Sequence, residues 1–163
     1  RAITRSRARE KRPARTPSWE RPLWICPKCG NAFVNRNNWH SCVSKPLAAH
    51  FEGKPRALAL FKAFRRALAE IGPVRIVSSK TRIAFMVRVR FAGCTVRASS
   101  IRAGLWLPYA ADAPRAVKRD FIPPHYHLFY FDIREVSDLD DNFRRLLREA
   151  YHLGGEQEFL KNR

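Results

Sequence analysis

Residues 82–109 read RIAFMVRVRFAGCTVRASSIRAGLWLPY, and their hydrophobic spacing predicts part of a β-sheet. In the first ten residues apolar side chains alternate with charged or smaller ones: Ile83, Phe85, Val87, Val89 and Phe91 lie between Arg82, Ala84, Met86, Arg88 and Arg90. A period of two residues is typical of an antiparallel strand with one buried face. We therefore predict a strand over 82–91, a turn at Ala92 and Gly93, a return over 94–99 and another strand over 101–109.

Two amphipathic segments predict helices before and after these strands. Residues 55–71 carry apolar side chains at helical spacing, begin with a proline that suits the first helical turn, and stop at Gly72. A second helix is predicted from Ser137, which forms a capping-box pattern with Asp140, to Gly154.

The segments between the helices complete the prediction of fold class. Residues 126–133 read YHLFYFDI, an aromatic strand, whereas residues 110–124 contain three prolines and are interpreted as a loop. A helix, then strands, then a second helix is typical of an α+β domain. We predict a small zinc knuckle followed by an antiparallel sheet of four to five strands, with two helices flanking one face.

The distribution of charge divides the chain into parts. Its 163 residues include 32 Lys and Arg against 14 Asp and Glu, a formal net charge of +18. Residues 1–22 hold eight Lys or Arg and two Glu without hydrophobic periodicity, which predicts a disordered basic arm. The same Arg- and Ser-rich composition leaves an organellar transit peptide as an alternative. The predicted parts are this arm at 1–22, a zinc-binding module at 23–43, an α+β domain at 44–156 and a C-terminal tail at 157–163.

Three of the four cysteines cluster with a histidine. The chain reads WICPKCG at 24–30 and HSC at 40–42, so the candidate ligands are Cys26, Cys29, His40 and Cys42. Zinc prefers four thiolate or imidazole ligands in a tetrahedron, and a site with four protein ligands leaves no position for water or substrate. The spacing therefore predicts one structural Zn²⁺ ion without a catalytic role.

Alternatives to the zinc site are free thiols beside a surface histidine, or a redox-active Cys-x-x-Cys, whose usual βαβ context is missing. We expect Phe33 and Trp39 to pack beneath the metal, with Trp24 joining them or the main domain. Cys94 lies far from the cluster in a strand pattern and is interpreted as a small core residue. Cysteines used for metal rather than disulfides favour a reducing, cytoplasmic compartment.

From Trp24 onward the chain resembles a bacterial family known as domain of unknown function 5655. The blocks that carry the resemblance are WICPKCGNAFVNRNNWHSC, LAAHFEGKP, KTRIAFMVRVRFAG, LWLP, YHLFYF and DLDDNFRRLLREAY. The resemblance implies a cysteine–histidine knuckle ahead of an α+β domain and assigns no catalytic residue. The basic arm is not part of the family's pattern.

The excess of cations favours a polyanionic partner, because such a field attracts nucleic acid or an anionic surface. No apolar run of about 18 residues occurs, so we expect no membrane span. The candidate nucleic-acid contacts are Arg5, Arg7, Arg9, Lys11, Arg12 and Arg15 in the arm, Lys28, Arg36 and Trp39 in the zinc module, and Arg82, Arg88 and Arg90 on the solvent side of the predicted strand. The alternative is that these charges are simply solvated.

We interpret the protein as a zinc-stabilised, non-enzymatic binder of nucleic acid, with RNA, including ribosomal RNA, preferred to DNA. A protein-interaction adaptor that presents the zinc module to another protein is the second hypothesis. The third is an enzyme of unknown reaction, with a site near Arg82, Tyr109, His125 and His127. No nucleophile elbow, glycine-rich phosphate loop or paired-carboxylate motif supports this third hypothesis.

Overall fold

The computed structural model of the chain describes residues 22–33, 35–124 and 126–155. Almost all of the predicted arm, with its six candidate cations, lies outside these residues. The predicted tail at 157–163 and His125 also lie outside them.

The described residues form strands, two α-helices and three shorter helical segments. The strands are β1 Trp24–Ile25, β2 Ala32–Phe33, β3 Arg75–Ser78, β4 Ile83–Met86, β5 Arg90–Val96, β6 Ile101–Leu107, β7 Lys118–Ile122 and β8 Tyr126–Ile133. The α-helices are α1 Pro55–Ala69 and α2 Asp141–Glu149. Two 3-10 helices, Leu47–His50 and Val136–Asp138, and a π-helical segment, Ala150–Gly155, complete the elements.

Strands β3 to β8 form one antiparallel sheet in the order β3-β4-β5-β6-β8-β7, and β1 pairs separately with β2. The α+β class is thus confirmed, and the larger sheet has six strands. The two strands of this sheet outside the ranges named from the sequence are β3 and β7, and β7 forms within the segment interpreted as a loop. Its sequence KRDFI lacks clear alternation, and it is a strand because it pairs with β8 from Lys118 opposite Tyr130 to Ile122 opposite Tyr126.

The prediction of one unbroken strand over 82–91 was wrong. Strand β4 ends at Met86 and β5 begins at Arg90, so the connection is residues 87–89. Gly93 lies inside β5, opposite Ala84, instead of forming a turn. A Cβ atom on Gly93 would lie 2.8 Å from the carbonyl oxygen of Ile83. The glycine therefore permits close approach of two strands.

A β-bulge changes the alternation along β5. Phe85 pairs with Ala92, but Met86 pairs with Arg90, which leaves Phe91 as the extra residue. Phe91 is fully buried and its ring lies 5.2 Å from that of Tyr151, in the π-helical segment. The bulge thus keeps Phe91 in the core while Arg90 remains exposed.

Both α-helices pack against the same face of the sheet, through phenylalanine rings. Phe64 of α1 lies 5.3 Å from Phe85 of β4, and Phe143 of α2 lies 5.1 Å from Phe131 of β8. The two helices also touch each other, since the rings of Phe64 and Phe143 are 5.8 Å apart. All four rings are buried, and edge-to-face pairs of this kind add to the free energy gained by burial.

The first helix forms as predicted, whereas the second begins later than Ser137. Ser137 lies in the 3-10 helix, where the capping box is formed by Glu135 and Asp138. The side chain of Asp140 caps α2 by accepting a 2.8 Å hydrogen bond from the backbone N–H of Phe143. An aspartate at the N-cap of a helix accepts a hydrogen bond from a backbone N–H group of the first turn that would otherwise be unpaired. Its negative charge also complements the helix dipole. Within the described ranges, neither helix has the length and apolar character that crossing a bilayer requires.

The close approach at Gly93 predicts that Gly93→Ala destabilises the fold. The added methyl group would press on the backbone oxygen of Ile83, so we expect the free energy of unfolding to fall by about 1–3 kcal/mol in urea denaturation. The matched control is Gly104→Ala, where the nearest atom is the end of the Leu128 side chain at 3.4 Å. Equal effects of the two substitutions would contradict this account of Gly93.

Candidate metal centre and open sheet face

The first two candidate ligands lie on a tight turn after β1. The backbone N–H of Gly30 donates to the carbonyl oxygen of Cys26, and the N–H of Cys26 donates to that of Asn31, both at 2.8 Å. Gly30 has a φ of 71°, a left-handed conformation that glycine adopts without steric cost. This turn, held by the pairing of β1 with β2, brings Cys26 and Cys29 together.

The four predicted ligands meet at one point. One ligand atom from each of Cys26, Cys29, His40 and Cys42 lies within 4.8 Å of all the others. A tetrahedral zinc ion with Zn–S bonds of about 2.3 Å holds its sulfurs roughly 3.8 Å apart. The Sγ atoms of Cys26 and Cys42 are separated by 3.8 Å, and the Nε2 atom of His40 lies 3.2 Å and 3.4 Å from the Sγ atoms of Cys29 and Cys42. The donor set fits a tetrahedral metal ion such as Zn²⁺.

The orientation of His40 is fixed by the backbone. Its Nδ1 atom lies 2.6 Å from the carbonyl oxygen of Asn38, and a carbonyl can only accept a hydrogen bond. Nδ1 therefore carries the proton, and Nε2 presents its lone pair to the cysteines. Histidine ligands of metals commonly use the second ring nitrogen in this way.

The electrostatics of the cysteines fit a cation between them. Desolvation alone would raise the pKa of the Cys26 thiol, but hydrogen bonds from the backbone N–H groups of Cys29 and Lys28 outweigh it and lower the pKa to about 6. At Cys42, desolvation and then the neighbouring Cys26 and Cys29 raise the pKa to about 11. Crowded thiolates repel one another, and a bound divalent cation offsets that repulsion.

The apolar pack beside the site differs from the prediction at one residue. The rings of Phe33 and Trp24 lie 4.3 Å and 6.2 Å from the His40 ring, and 5.9 Å from each other. Trp39 does not take part: it is 92% exposed. The hydrogen bond between Asn38 and His40 turns the imidazole inward, and the intervening Trp39 side chain is left in solvent.

The knuckle, defined here as residues 23–43, lies beside β3, the first edge of the sheet. Just after the knuckle, Ser44 forms a β-bridge with Ser79, and the hydroxyl of Ser78 donates a 2.6 Å hydrogen bond to the carbonyl oxygen of Lys45. From the sheet, the Arg75 guanidinium donates to the carbonyl oxygen of Gly30 at 3.4 Å. The knuckle and the sheet thus share backbone and side-chain contacts.

The remaining cysteine and histidines form no second cluster within the described part of the chain. Cys94 is a core residue, as predicted, and desolvation raises the pKa of its thiol to about 12. His50 is buried with its Nε2 atom 3.0 Å from the hydroxyl of Ser78.

The surface opposite the helices, hereafter the open face, carries several cations. Alternation along the strands places on it Arg82, Arg90, Arg102, Trp106 and Tyr130, which line one shallow depression. The predicted contacts Arg82 and Arg90 are thus brought together. Arg88 is not in a strand: it lies in the connection at 87–89, and the pattern of side chains that was predicted to align it with Arg82 and Arg90 is interrupted there.

The cations of the open face differ in whether they are neutralised. Arg102 forms two hydrogen bonds to Asp132, of 2.7 Å and 3.0 Å, and Lys118 pairs with Asp120 at 2.7 Å. In the described part of the chain, neither Arg82 nor Arg90 forms an ion pair with a carboxylate.

The environment of Arg90 disfavours its positive charge. Its guanidinium lies over the Trp106 ring, 5.7 Å from the centroid. Desolvation, and then the positive charge of Arg82, lower the pKa of Arg90. Because the two guanidinium groups repel each other, an anion bound between them would be stabilised.

Sequence reasoning missed Trp106 and Tyr130 as members of this surface. The signal available in the sequence was the two-residue period of a strand. Arg102, Gly104 and Trp106 are spaced two residues apart on β6, so the three share a face. Tyr130 is placed there by the pairing of β6 with β8, which the sequence does not specify. Of the other predicted contacts, Lys28 and Arg36 are exposed on the knuckle.

The residues considered for an enzyme site are not brought together. Arg82 lies on the open face, whereas the hydroxyl of Tyr109 donates a hydrogen bond to Glu149 of α2. The ring of His127 lies 5.0 Å from that of Phe121. These three side chains therefore do not line one pocket.

Comparison of the chain with protein-family models, with curated proteins and with solved structures gives no match in any of the three. The resemblance noted from the sequence blocks therefore stays a prediction.

The geometry of the knuckle predicts that the purified protein holds one zinc ion per chain and that Cys42→Ser loses it. A serine hydroxyl is a poor zinc ligand, so the substitution leaves three ligands. We expect metal analysis to give close to one zinc for the native chain and far less for the variant, with near-ultraviolet circular dichroism reporting the loss of Trp24 packing.

The control for this experiment is Cys94→Ala, which removes a cysteine that lies in the core and is not one of the four clustered ligands. That variant should keep its zinc. A native chain without stoichiometric metal, or a Cys42→Ser variant with full zinc content, would contradict the assignment.

Proposed function

We propose that this protein is a non-enzymatic binder of nucleic acid, with RNA preferred to DNA, whose fold is stabilised by a structural zinc ion. The proposed role of the metal rests on the donor set of the knuckle. Three cysteines and one histidine complete a four-coordinate site, which is the composition of structural zinc sites. Zinc then contributes to the stability of the knuckle instead of activating a substrate.

The single observation that carries the proposal is the unpaired positive charge on the open face. Arg82 and Arg90 line one depression and form no ion pair with a described carboxylate. A salt bridge neutralises a surface cation. Arginines that form no salt bridge can therefore bind the phosphates of a nucleic acid. Arg75 bonds to the knuckle at Gly30, which extends the basic surface towards Lys28.

The composition of the basic arm, residues 1–22, supports the same function. Eight Lys or Arg in 22 residues, with two Glu, give a segment that orders on a polyanion by neutralising its phosphates. We favour RNA because a long Arg-rich segment beside a small zinc knuckle suits contact with folded RNA, including ribosomal RNA, where charge and shape dominate recognition.

The proposal predicts that Arg82→Gln with Arg90→Gln weakens RNA binding and reduces its dependence on salt. If each guanidinium neutralises one phosphate of a single strand, the slope of log K against log salt should become less negative by about 1.4. Anisotropy titrations of a labelled RNA, and of DNA of the same sequence, at several salt concentrations measure this change.

The matched control is Arg65→Gln with Arg66→Gln, which removes the same charge from the exposed side of α1. Deletion of residues 1–22 in parallel separates the contribution of the arm. Binding of the native chain that does not respond to salt, or equal loss in the two double variants, would count against the proposal.

A second candidate function, adaptor between proteins, is favoured by one observation. Trp39 is 92% exposed on the knuckle, and Val43 and Ile25 are 57% and 55% exposed. Exposed tryptophan is enriched at the centres of protein interfaces.

For the adaptor function, we expect a stable protein partner to co-purify with the full chain after nuclease treatment and to be lost with Trp39→Ala. Trp39→Phe, which keeps an aromatic ring, is the control and should retain the partner. Loss of every partner on nuclease treatment would favour the nucleic-acid function instead.

A further inference from the structure

The open face contains a depression with a floor of small residues. Ala84 of β4, Gly93 of β5 and Gly104 of β6 lie opposite one another across the strands, and Tyr130 of β8 follows Gly104 in the same row. We call this row, with the side chains on either side of it, the trough. Two of the three central residues have no side chain, and the backbones of both glycines line the depression although both residues are buried.

The two walls of the trough differ in chemistry. One is made by Arg82, Thr95 and Arg102, and the other by Arg90, Trp106 and Leu128. Arg102 and Trp106 stand four residues apart on β6, which separates their Cα atoms by roughly 13 Å. The row of Ala84, Gly93 and Gly104 runs between these two walls.

An aromatic surface overhangs the floor. A Cβ atom built on Gly104 would lie 3.5 Å and 3.8 Å from two carbons of the six-membered ring of Trp106. The indole thus leans across the glycine, and the guanidinium of Arg90 lies over its ring. Unpaired nucleobases stack on aromatic rings and on the planes of Arg side chains, and both kinds of flat group are present here.

The positive charges beside this aromatic surface favour the binding of an anion there. Arg102 is neutralised by Asp132, so the cations of the trough without a described carboxylate partner are Arg82 and Arg90. These two line the depression from opposite walls, and the positive charge of Arg82 acts on Arg90. A phosphate attached to a base on the floor would lie between them.

We propose that the trough binds one unstacked nucleotide of single-stranded nucleic acid, with the base on the Gly93–Gly104 floor against Trp106 and its phosphate held by Arg82 and Arg90. This inference rests on the proposed function and specifies its ligand. A duplex keeps its bases stacked inside, so the trough selects single strands, while the arm and the other surface cations bind any polyanion.

The test uses substitutions that change the floor or the aromatic wall of the trough and leave its arginines in place. Gly104→Val places a branched side chain in the trough, and Trp106→Leu removes the aromatic surface while keeping an apolar residue. Each should weaken binding of a short single-stranded RNA by about 5- to 150-fold, the range that corresponds to one base stacked on an aromatic ring. Affinity for a duplex of the same length should change by less than about twofold, because phosphate contacts elsewhere are unaffected.

Fluorescence supplies a second measurement. The single strand should quench tryptophan emission in the native chain, and much of that quenching should disappear in Gly104→Val although all four tryptophans remain. Circular dichroism and thermal denaturation establish that the variant is folded. If Gly104→Val does not fold, Trp106→Leu alone decides between the outcomes.

The outcomes separate this inference from the proposed function. If both variants bind single strands as tightly as the native chain, while Arg82→Gln with Arg90→Gln weakens binding, the trough inference is overturned and the proposed function stands. If the native chain shows no salt-dependent binding of RNA or DNA, both fail. A nucleoside monophosphate that binds as tightly as the oligonucleotide, and is lost in Gly104→Val, would identify a free nucleotide as the ligand and overturn the inference for a strand.

Discussion

One-sided packing of the sheet is the constraint on which the other features depend. The rings of Phe64 and Phe143 bring both α-helices to the same side, against Phe85 and Phe131. The other side of the six strands is therefore built from residues that tolerate water or cover one another. Arginine suits such a position because its aliphatic stem lies along apolar surface while the guanidinium stays hydrated. The open face and its charge follow from where the helices pack.

Most of the metal site could be predicted from sequence because its information is local. Cys26 and Cys29 are three residues apart, and His40 and Cys42 two apart, so short turns alone bring each pair together. The helix α1 was likewise recognised from the periodicity of its own residues, and the strand β8 from its aromatic composition. The prediction for Trp39 was wrong because a tryptophan next to a ligand can face either the apolar pack or the solvent. The hydrogen bond between His40 and the carbonyl of Asn38 orients this segment so that Trp39 faces the solvent.

The open face could not be predicted, because it depends on pairing between distant residues. Gly93 belongs to β5 because the strand β4 packs closely beside it, at the carbonyl oxygen of Ile83. Tyr130 joins the trough because it pairs with Gly104. The bulge at Phe91 also changes which residues share a side. A period of two predicted the correct sides for Arg82, Phe85 and Arg90, whereas the turn predicted at Ala92 and Gly93 falls where the strand continues. Register, unlike periodicity, is a property of the assembled sheet.

The bridge between Ser44 and Ser79 has a consequence for the chain without metal. Strand β3 is an edge of the sheet, and an exposed edge presents unpaired N–H and C=O groups that invite pairing with a second molecule. The segment that leaves Cys42 covers part of that edge, so its position depends on the last ligand of the site. Without a metal at the four ligands, that segment would lose an anchor, which would expose N–H and C=O groups of the β3 edge and favour pairing with a second molecule.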